Sequence, residues 1–521
     1  MLTFNDTVDL FFKINPSKIV VNDEFRKLTY KELVHNGNIL SLYLIKLGAR
    51  RGDRVAVLAF NCSEYAEIFY ATSKTRAIII PINFRLGLEE IIEVFKDSKP
   101  KFFIFQNYFS KTYKALLKEK LIKKKNSLII NKVKKNNNCT SYKKIFSKNN
   151  KMNFTFKGKS KPEDLWSLMY TSGTTGKPKG VVRNHLGYYF LSSITAIELS
   201  IQKNENALIV MPLCHANSFN FFCAYIFAGA SVTIYSRKSF DPKHFFKLIK
   251  INNCSFTSLV PTHYIIILEF IKKNNTKSFI KQNFKFMISS APARKDTKKD
   301  ILKYFKMAKL YELYGSSESG WVTMLHPNEQ FSKLGTVGKE CVGSKPILIL
   351  DSKKKELQDG QIGELYACTP YNFLYYWKNS KKTKEAFYNN YVTVGDLAYR
   401  NSEGYIKLVE RKKNMIISGG ENIYPAEVEN IMGEHKKIKD VAVVGSLDKK
   451  WGEIVCAFVV LQHGSSISEK NLINWSRKKI ANYKCPKKII FIDDKKMPRN
   501  ATGKILHKKL REMLLEKDPH E

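Results

Sequence analysis

The sequence predicts an α/β fold: a large N-terminal domain of mostly parallel sheets, a β-rich portion after it, and a small α+β domain towards the C-terminal end. Three observations carry that expectation. Short apolar runs ending at or just before Gly, Ser, Pro or Asn alternate with amphipathic stretches through most of the chain, the pattern of buried parallel strands joined by helices. After about Gly360 the texture becomes strand-rich, and from about Asn414 a compact unit of helices and strands follows. The length of 521 residues calls for two or three domains, and we divide the chain at 1–412 and 413–521.

In chain order, the expected strands of the large domain are the runs 54–60, 77–83, 101–106, 167–172, 255–261, 284–292 and 308–315. EYAEIFYATSKT and EEIIEVFKDSK, between the early ones, carry apolar residues at helical spacing. Residues 207–236 hold no Asp, Glu, Lys or Arg, enough length to cross a bilayer. Pro212, Asn217, Asn220 and Gly229 cut this stretch into strand, polar loop, helix and strand, so it reads as a buried β-α-β unit and no transmembrane segment is expected. NSEG at 401–404 joins two apolar runs as a hairpin. In the last domain, 424–435 and 471–480 are expected helices, and 440–446, 453–462 and 487–493 expected strands.

Composition narrows the function classes. Hydrophobic residues make up 44% and aromatics 12%, too apolar for a disordered chain. The net charge of +41 raises nucleic acid as a partner. Only 14 of the 88 basic residues are arginine, leaving 74 lysines, whereas phosphate and base recognition favours the planar arginine fork. The excess is read as solvated surface, including the stretch 101–151 with its single acidic residue Glu119, and no specific nucleic-acid binding is expected. Nine cysteines without a CxxC pair argue against a disulfide framework or zinc cluster. The N-terminus, with Asp6 and Asp9, carries no export signal, so a cytoplasmic location is expected.

The strongest chemical signal is Tyr170-Thr171-Ser172-Gly173-Thr174-Thr175-Gly176-Lys177-Pro178-Lys179-Gly180, directly after an apolar run. Three glycines, four hydroxyls and two lysines in one loop offer backbone N–H groups, hydroxyl donors and positive charge to a polyphosphate. It is not a Walker A loop, since two residues rather than four separate the first Gly from Gly-Lys and Pro178 follows the lysine.

At this loop the sequence resembles the adenylate-forming (AMP-binding) superfamily, in its acyl-CoA synthetase branch, and the resemblance runs in order along nearly the whole chain. It continues through Pro212-Leu213-Cys214-His215-Ala216, Tyr314-Gly315-Ser316-Ser317-Glu318, Gly395-Asp396, Glu410-Arg411-Lys412-Lys413, the block 419–429, and Pro498-Arg499-Asn500-Ala501-Thr502-Gly503-Lys504. Glu410 and Asn414 depart from the common pattern, which has Gly and Asp there. The resemblance implies ATP and Mg²⁺, a carboxylic acid joined to AMP, and then transfer of the acyl group to coenzyme A. It implies a hinge, placed at Lys413, about which a small, mobile C-terminal domain rotates.

By that resemblance Thr171, Ser172, Gly173, Thr174, Thr175, Gly176, Lys177 and Lys179 hold phosphates, and Glu318 ligates Mg²⁺. Tyr314, with Gly315 and Ser317, lies against the adenine. Asp396 takes the ribose hydroxyls, and Arg411 reaches ribose or phosphate. Lys504 places a point charge between carboxylate and α-phosphate, and His215 lies near the acyl pocket and gates it. Asn217, Phe219, Phe221, Phe222, Gly320, Trp321 and Val322 beside these blocks include no Lys or Arg, which favours an uncharged acyl tail. The competing readings are an adenylating enzyme that loads a carrier protein and, from another class, a basic nucleic-acid-binding protein.

Overall fold

The computed structural model describes residues 2–131, 139–146, 156, 158–171, 178–274, 280, 283–290, 293, 295–418, 421–448, 451–500 and 503–517. The chain forms two compact units. The first holds Met1–Ser332, Glu340–Pro346 and Ala367–Val392; the second holds Lys333–Lys339, Ile347–Tyr366 and Thr393–Glu521.

The first unit is built on two mainly parallel sheets. One orders Gly320–Leu325, Lys309–Ser316, Lys285–Ser289, Phe256–Leu259, Asn206–Ile209, Ser231–Ile234, Ile19–Asn22 and Lys27–Thr29. Its inner pairs are parallel and its two hairpin edges antiparallel. The other orders Tyr375–Tyr376, Lys179–Asn184, Leu165–Thr171, Ile78–Pro81, Arg54–Leu58, Phe102–Gln106, Ser127–Ile130 and Thr140–Ser141. Each expected strand of the large domain is present within a few residues of its run. Residues 206–234 form the strand–helix–strand read from the sequence, with the helix at Ala216–Phe227 and the two strands parallel.

The main core joins both sheets. Phe69, on the helix Glu64–Lys74, meets Phe219, on the helix Ala216–Phe227, edge to face at 4.5 Å, and Trp166 packs on Phe4, His185 and Tyr188. Both helices are buried over most of their length; Ala216–Phe227 is apolar nearly all round to match, whereas Glu64–Lys74 also buries Glu67, which pairs with Arg26. Among the described residues no helix is long and apolar enough to cross a membrane.

In the second unit, Leu348–Leu350, Gly363–Tyr366, Asp396–Arg400 and Ile406–Arg411 form a four-stranded antiparallel sheet. A second sheet orders Glu421–Ile423, Ile416–Ser418, Gly452–Leu461 and Ile438–Asp448, with Lys488–Phe491 parallel to Gly452–Leu461. The helix Pro425–Gly433 and the strand residues Val441 and Val443 share one core, and the helix His507–Lys517 covers the other face through Leu510 and Leu514. All nine cysteines are free, and only Cys368 is less than fully buried.

Candidate active site

In the first unit, the strand Lys309–Ser316 runs through Tyr314 and Gly315 to Ser316 and turns back into Gly320–Leu325. The reversal is so close that a Cβ on Gly315 would lie 2.1 Å from the Gly320 carbonyl oxygen, and Gly320 itself has φ +69°. Ser316 Oγ accepts from the backbone N–H groups of Glu318 (3.2 Å) and Ser319 (2.9 Å), which sets the turn. Glu318 is thereby presented at the carboxyl end of the parallel sheet, where α/β folds gather their ligands.

Glu318 is buried. Its Oε1 accepts from the Tyr376 hydroxyl at 2.7 Å, and its carbonyl accepts from Phe373 N–H at 2.7 Å and Arg183 Nη2 at 3.1 Å. Lys179 Nζ stands 4.9 Å above the Tyr376 ring. Thr171 and Lys179 pair directly across two antiparallel strands and so close the base of the glycine-rich loop. Ser172, Gly173, Thr174, Thr175, Gly176 and Lys177 lie outside the described residues.

The site residues fit a Mg²⁺ that arrives with phosphate. No cluster of three or more His, Cys, Asp or Glu gathers among the described residues, and Mg²⁺ needs only one or two carboxylates when phosphate oxygens and water complete its shell. Glu318 offers one such carboxylate, its Oε1 oriented by Tyr376.

His215 is the N-cap residue of Ala216–Phe227. Its Nε2 is buried without a hydrogen-bond partner among the described residues, and burial, with the charge of Arg85, lowers its pKa to about 4, so the ring is neutral at pH 7. His263 is lowered by the same two causes, also to about 4. Asn217 donates to Ser289 Oγ at 2.9 Å and accepts from Ser258 at 3.2 Å. The expected lining of an acyl pocket needs correction here. Phe219, Phe221 and Phe222 are fully buried and spend their rings on Phe69, Trp166, Tyr188, Phe256, Trp321 and Phe4. A helix covered on all sides leaves no open face on which three aromatics could line a cavity. The charge that does reach His215 is the cation Arg85, distant from it in sequence.

In the second unit, Asp396 and Arg411 are direct cross-strand partners, with Arg411 Nε 2.9 Å from Asp396 Oδ1. Lys504 sits in a loop whose backbone is closed by Asn500 N–H to the Lys504 carbonyl (2.8 Å) and Lys504 N–H to Asn500 Oδ1 (2.9 Å). Gly503, at φ +81°, makes that reversal possible. Burial, with the charge of Arg411, pushes the Lys504 ammonium down to about 8, while Asp396, Glu410 and Glu429 act the other way. Glu410 accepts from Ala426 N–H at 2.9 Å, in the first turn of Pro425–Gly433, and from Asn414 Nδ2 at 3.2 Å. The two departures from the common pattern are therefore bonded to each other. Asn at 414 is the compatible partner, because an Asp there would set a second carboxylate against Glu410. His507 Nε2 lies 2.8 Å from Glu429 Oε1.

Within the first unit the structure thus brings Glu318 and Lys179 together through Tyr376, and within the second it brings Asp396, Arg411 and Lys504 together. Sequence reasoning missed Arg183, Tyr376 and Arg85. Arg183 left a faint signal: a charged residue directly after the apolar pair Val181–Val182 in the strand Lys179–Asn184. Tyr376 and Arg85 left none.

A family model described as AMP-binding enzyme matches residues 11–377, and that of the AMP-binding enzyme C-terminal domain matches residues 427–504. A 2-succinylbenzoate–CoA ligase of Oceanobacillus iheyensis is 28% identical over 501 residues, covering 95% of this chain and 97% of the relative. A long-chain-fatty-acid–CoA ligase of Mycobacterium tuberculosis is 29% identical over 495 residues, covering 93% of each chain. The solved structure of O-succinylbenzoate coenzyme A synthetase from Bacillus subtilis, in complex with ATP and magnesium ion, is 25% identical and superposes with a TM-score of 0.84 over 97% of this chain and 98% of that one. With the two models matched in order along most of its length, the chain belongs to the AMP-binding enzyme family.

Proposed function

We propose that the protein is an ATP- and Mg²⁺-dependent acid–thiol ligase that forms an acyl-adenylate and passes the acyl group to coenzyme A. In the first half-reaction a carboxylate oxygen of the acid attacks the α-phosphorus and the bond to pyrophosphate breaks. In the second, the CoA sulfur attacks the acyl carbonyl, its proton passes to solvent, and the carbon–oxygen bond to AMP breaks. The first step brings two anions together, so fixed positive charge has to dominate the barrier. Lys504 supplies it as a point charge at the meeting carboxylate and phosphate, and Thr171–Lys179 hold the outer phosphates. Glu318 ligates Mg²⁺, which when bound neutralises phosphate charge. Tyr314, Gly315 and Ser317 receive the adenine, and Asp396 and Arg411 the ribose. Thiolate attack on a mixed anhydride needs positioning more than an enzymic nucleophile.

The observation that carries the reading is Lys504, held in a closed loop beside the Asp396–Arg411 pair. The test is pyrophosphate release with ATP, Mg²⁺ and a panel of carboxylic acids, followed by thioester formation with free CoA. Release without any acid-dependence would refute the reading. Thioester formation only on a carrier protein's phosphopantetheine would select the carrier-loading alternative.

For the acid, the first reading is an uncharged acyl tail of fatty-acid type, used in the cytoplasm, where nine free cysteines remain reduced. The Arg85 charge that acts on His215 favours a second reading, an acid carrying another anionic group, as 2-succinylbenzoate does. The panel therefore pairs fatty acids of several lengths with dicarboxylic acids.

A further inference from the structure

Arg183 is 3% exposed, yet among the described residues no carboxylate lies within ion-pairing distance of it. Burial lowers its pKa. A guanidinium taken out of water is costly unless its donors are satisfied, and here the fork is satisfied by carbonyls alone. Nε and Nη2 donate to the Ser317 carbonyl at 3.2 and 2.8 Å, Nη2 also to the Glu318 carbonyl at 3.1 Å, and Nη1 to the Tyr371 carbonyl. These acceptors belong to two segments. One is the turn that presents Glu318. The other, Thr369–Tyr376, is stitched to that turn by Thr369 Oγ1 to the Ser319 carbonyl (2.8 Å), the Tyr371 hydroxyl to the Trp321 carbonyl (2.8 Å) and the Tyr376 hydroxyl to Glu318 Oε1 (2.7 Å). Arg183 ties both to a third element, the strand Lys179–Asn184, which begins at the phosphate loop.

We infer that Arg183 is the positioning residue for Glu318: its fork fixes the turn and the Tyr376 segment together, so that Tyr376 holds Oε1 and the carboxylate is presented to the metal of a Mg²⁺–polyphosphate. The inference rests on the functional reading above. Lysine keeps the charge but offers no planar fork to three carbonyls, and methionine keeps the length and offers neither. Because the residue acts through Glu318, its loss is felt in metal binding before nucleotide binding.

The experiment compares wild type, Arg183→Lys, Arg183→Met and Tyr376→Phe. It follows thermal stabilisation by ATP alone and by ATP with Mg²⁺, together with the Mg²⁺ half-saturation of acid-dependent pyrophosphate release. Arg183→Met is expected to raise the half-saturation about ten- to a hundredfold, the usual cost of losing an outer-shell partner. It should lose the Mg²⁺-dependent part of the stabilisation while keeping the part due to ATP alone. Arg183→Lys should fall between it and wild type, and Tyr376→Phe should shift the titration in the same direction. Wild-type Mg²⁺ titrations in the variants, or equal losses with ATP alone and with Mg²⁺, overturn the role. Should Arg183→Met not fold, Arg183→Lys and Tyr376→Phe decide by the same criteria. A wild type without acid-dependent release or Mg²⁺-dependent stabilisation sinks the functional reading, and this role with it; failure confined to the variants sinks the role alone.

Discussion

Lys504 shows how one side chain is tuned by its company. On the proposed function its charge is required only while carboxylate and phosphate meet, so Lys504→Ala is expected to cripple adenylation and to spare thioester formation from supplied acyl-AMP; parallel assays of the two half-reactions check this, and equal losses would refute the division. Its ammonium is lowered to about 8, and the charged form, present below that value, is the active one. The kcat/KM for adenylation, which reports the free enzyme, should therefore decline as pH rises past about 8, and Lys504→Arg should lack that alkaline limb. Glu318→Gln removes the proposed metal ligand and should raise the Mg²⁺ requirement and slow adenylation by about a hundredfold or more, the scale of losing an electrostatic contact in a dry site. An unchanged metal titration would exclude Glu318 from the metal site. Both residues could be proposed from the sequence because each lies in a block whose residue types suggest the chemistry. Arg183, whose charge after two valines is only a faint signal, and Arg85 were missed, because their meaning comes from carbonyls and imidazoles distant in sequence.

At the level of elements, strands were easier to read than their exceptions. Buried parallel strands are continuous apolar runs, so Arg54–Leu58, Phe256–Leu259 and Lys285–Ser289 stand where those runs lie. The short antiparallel pair of Tyr375–Tyr376 with Lys179–Asn184 left no such pattern, and with it went Tyr376. The phenylalanines of Ala216–Phe227 were misread as pocket lining because proximity in sequence to His215 says nothing about which way a covered helix turns. The turn at Gly315 gives a direct test: an added Cβ meets backbone oxygen at 2.1 Å, and two paired strands cannot yield without losing hydrogen bonds. Gly315→Ala should destabilise by about 1–3 kcal/mol or more, seen as a lower Tm in calorimetry. At the proposed hinge, Glu410 accepts from Ala426 across Lys413, so rotation about Lys413 has to break that bond. Lys413→Pro fixes φ near −65° and removes an N–H. It should leave pyrophosphate exchange intact while acyl-CoA formation from acyl-AMP collapses; matching losses in Lys412→Pro would mean local misfolding instead.

For the molecule as a whole, the net charge of +41 is spread over a surface dominated by lysine, and its action on polyanionic substrates is a matter of long-range field. Raising ionic strength to about 0.15 M, where screening acts over about 8 Å, should lower kcat/KM for ATP and CoA while leaving kcat nearly constant; a salt-independent kcat/KM would mean the field plays no part in capture. The cysteines give the molecule a different use. Eight of the nine are buried and Cys368 alone is partly open, so a maleimide should modify the native protein at one position and the unfolded protein at nine. Cys456 and Cys485 belong to the second unit and the other seven to the first. Counting adducts by mass along a denaturant series therefore reports the order in which the two units open, from a signal the chain already carries and without a single substitution.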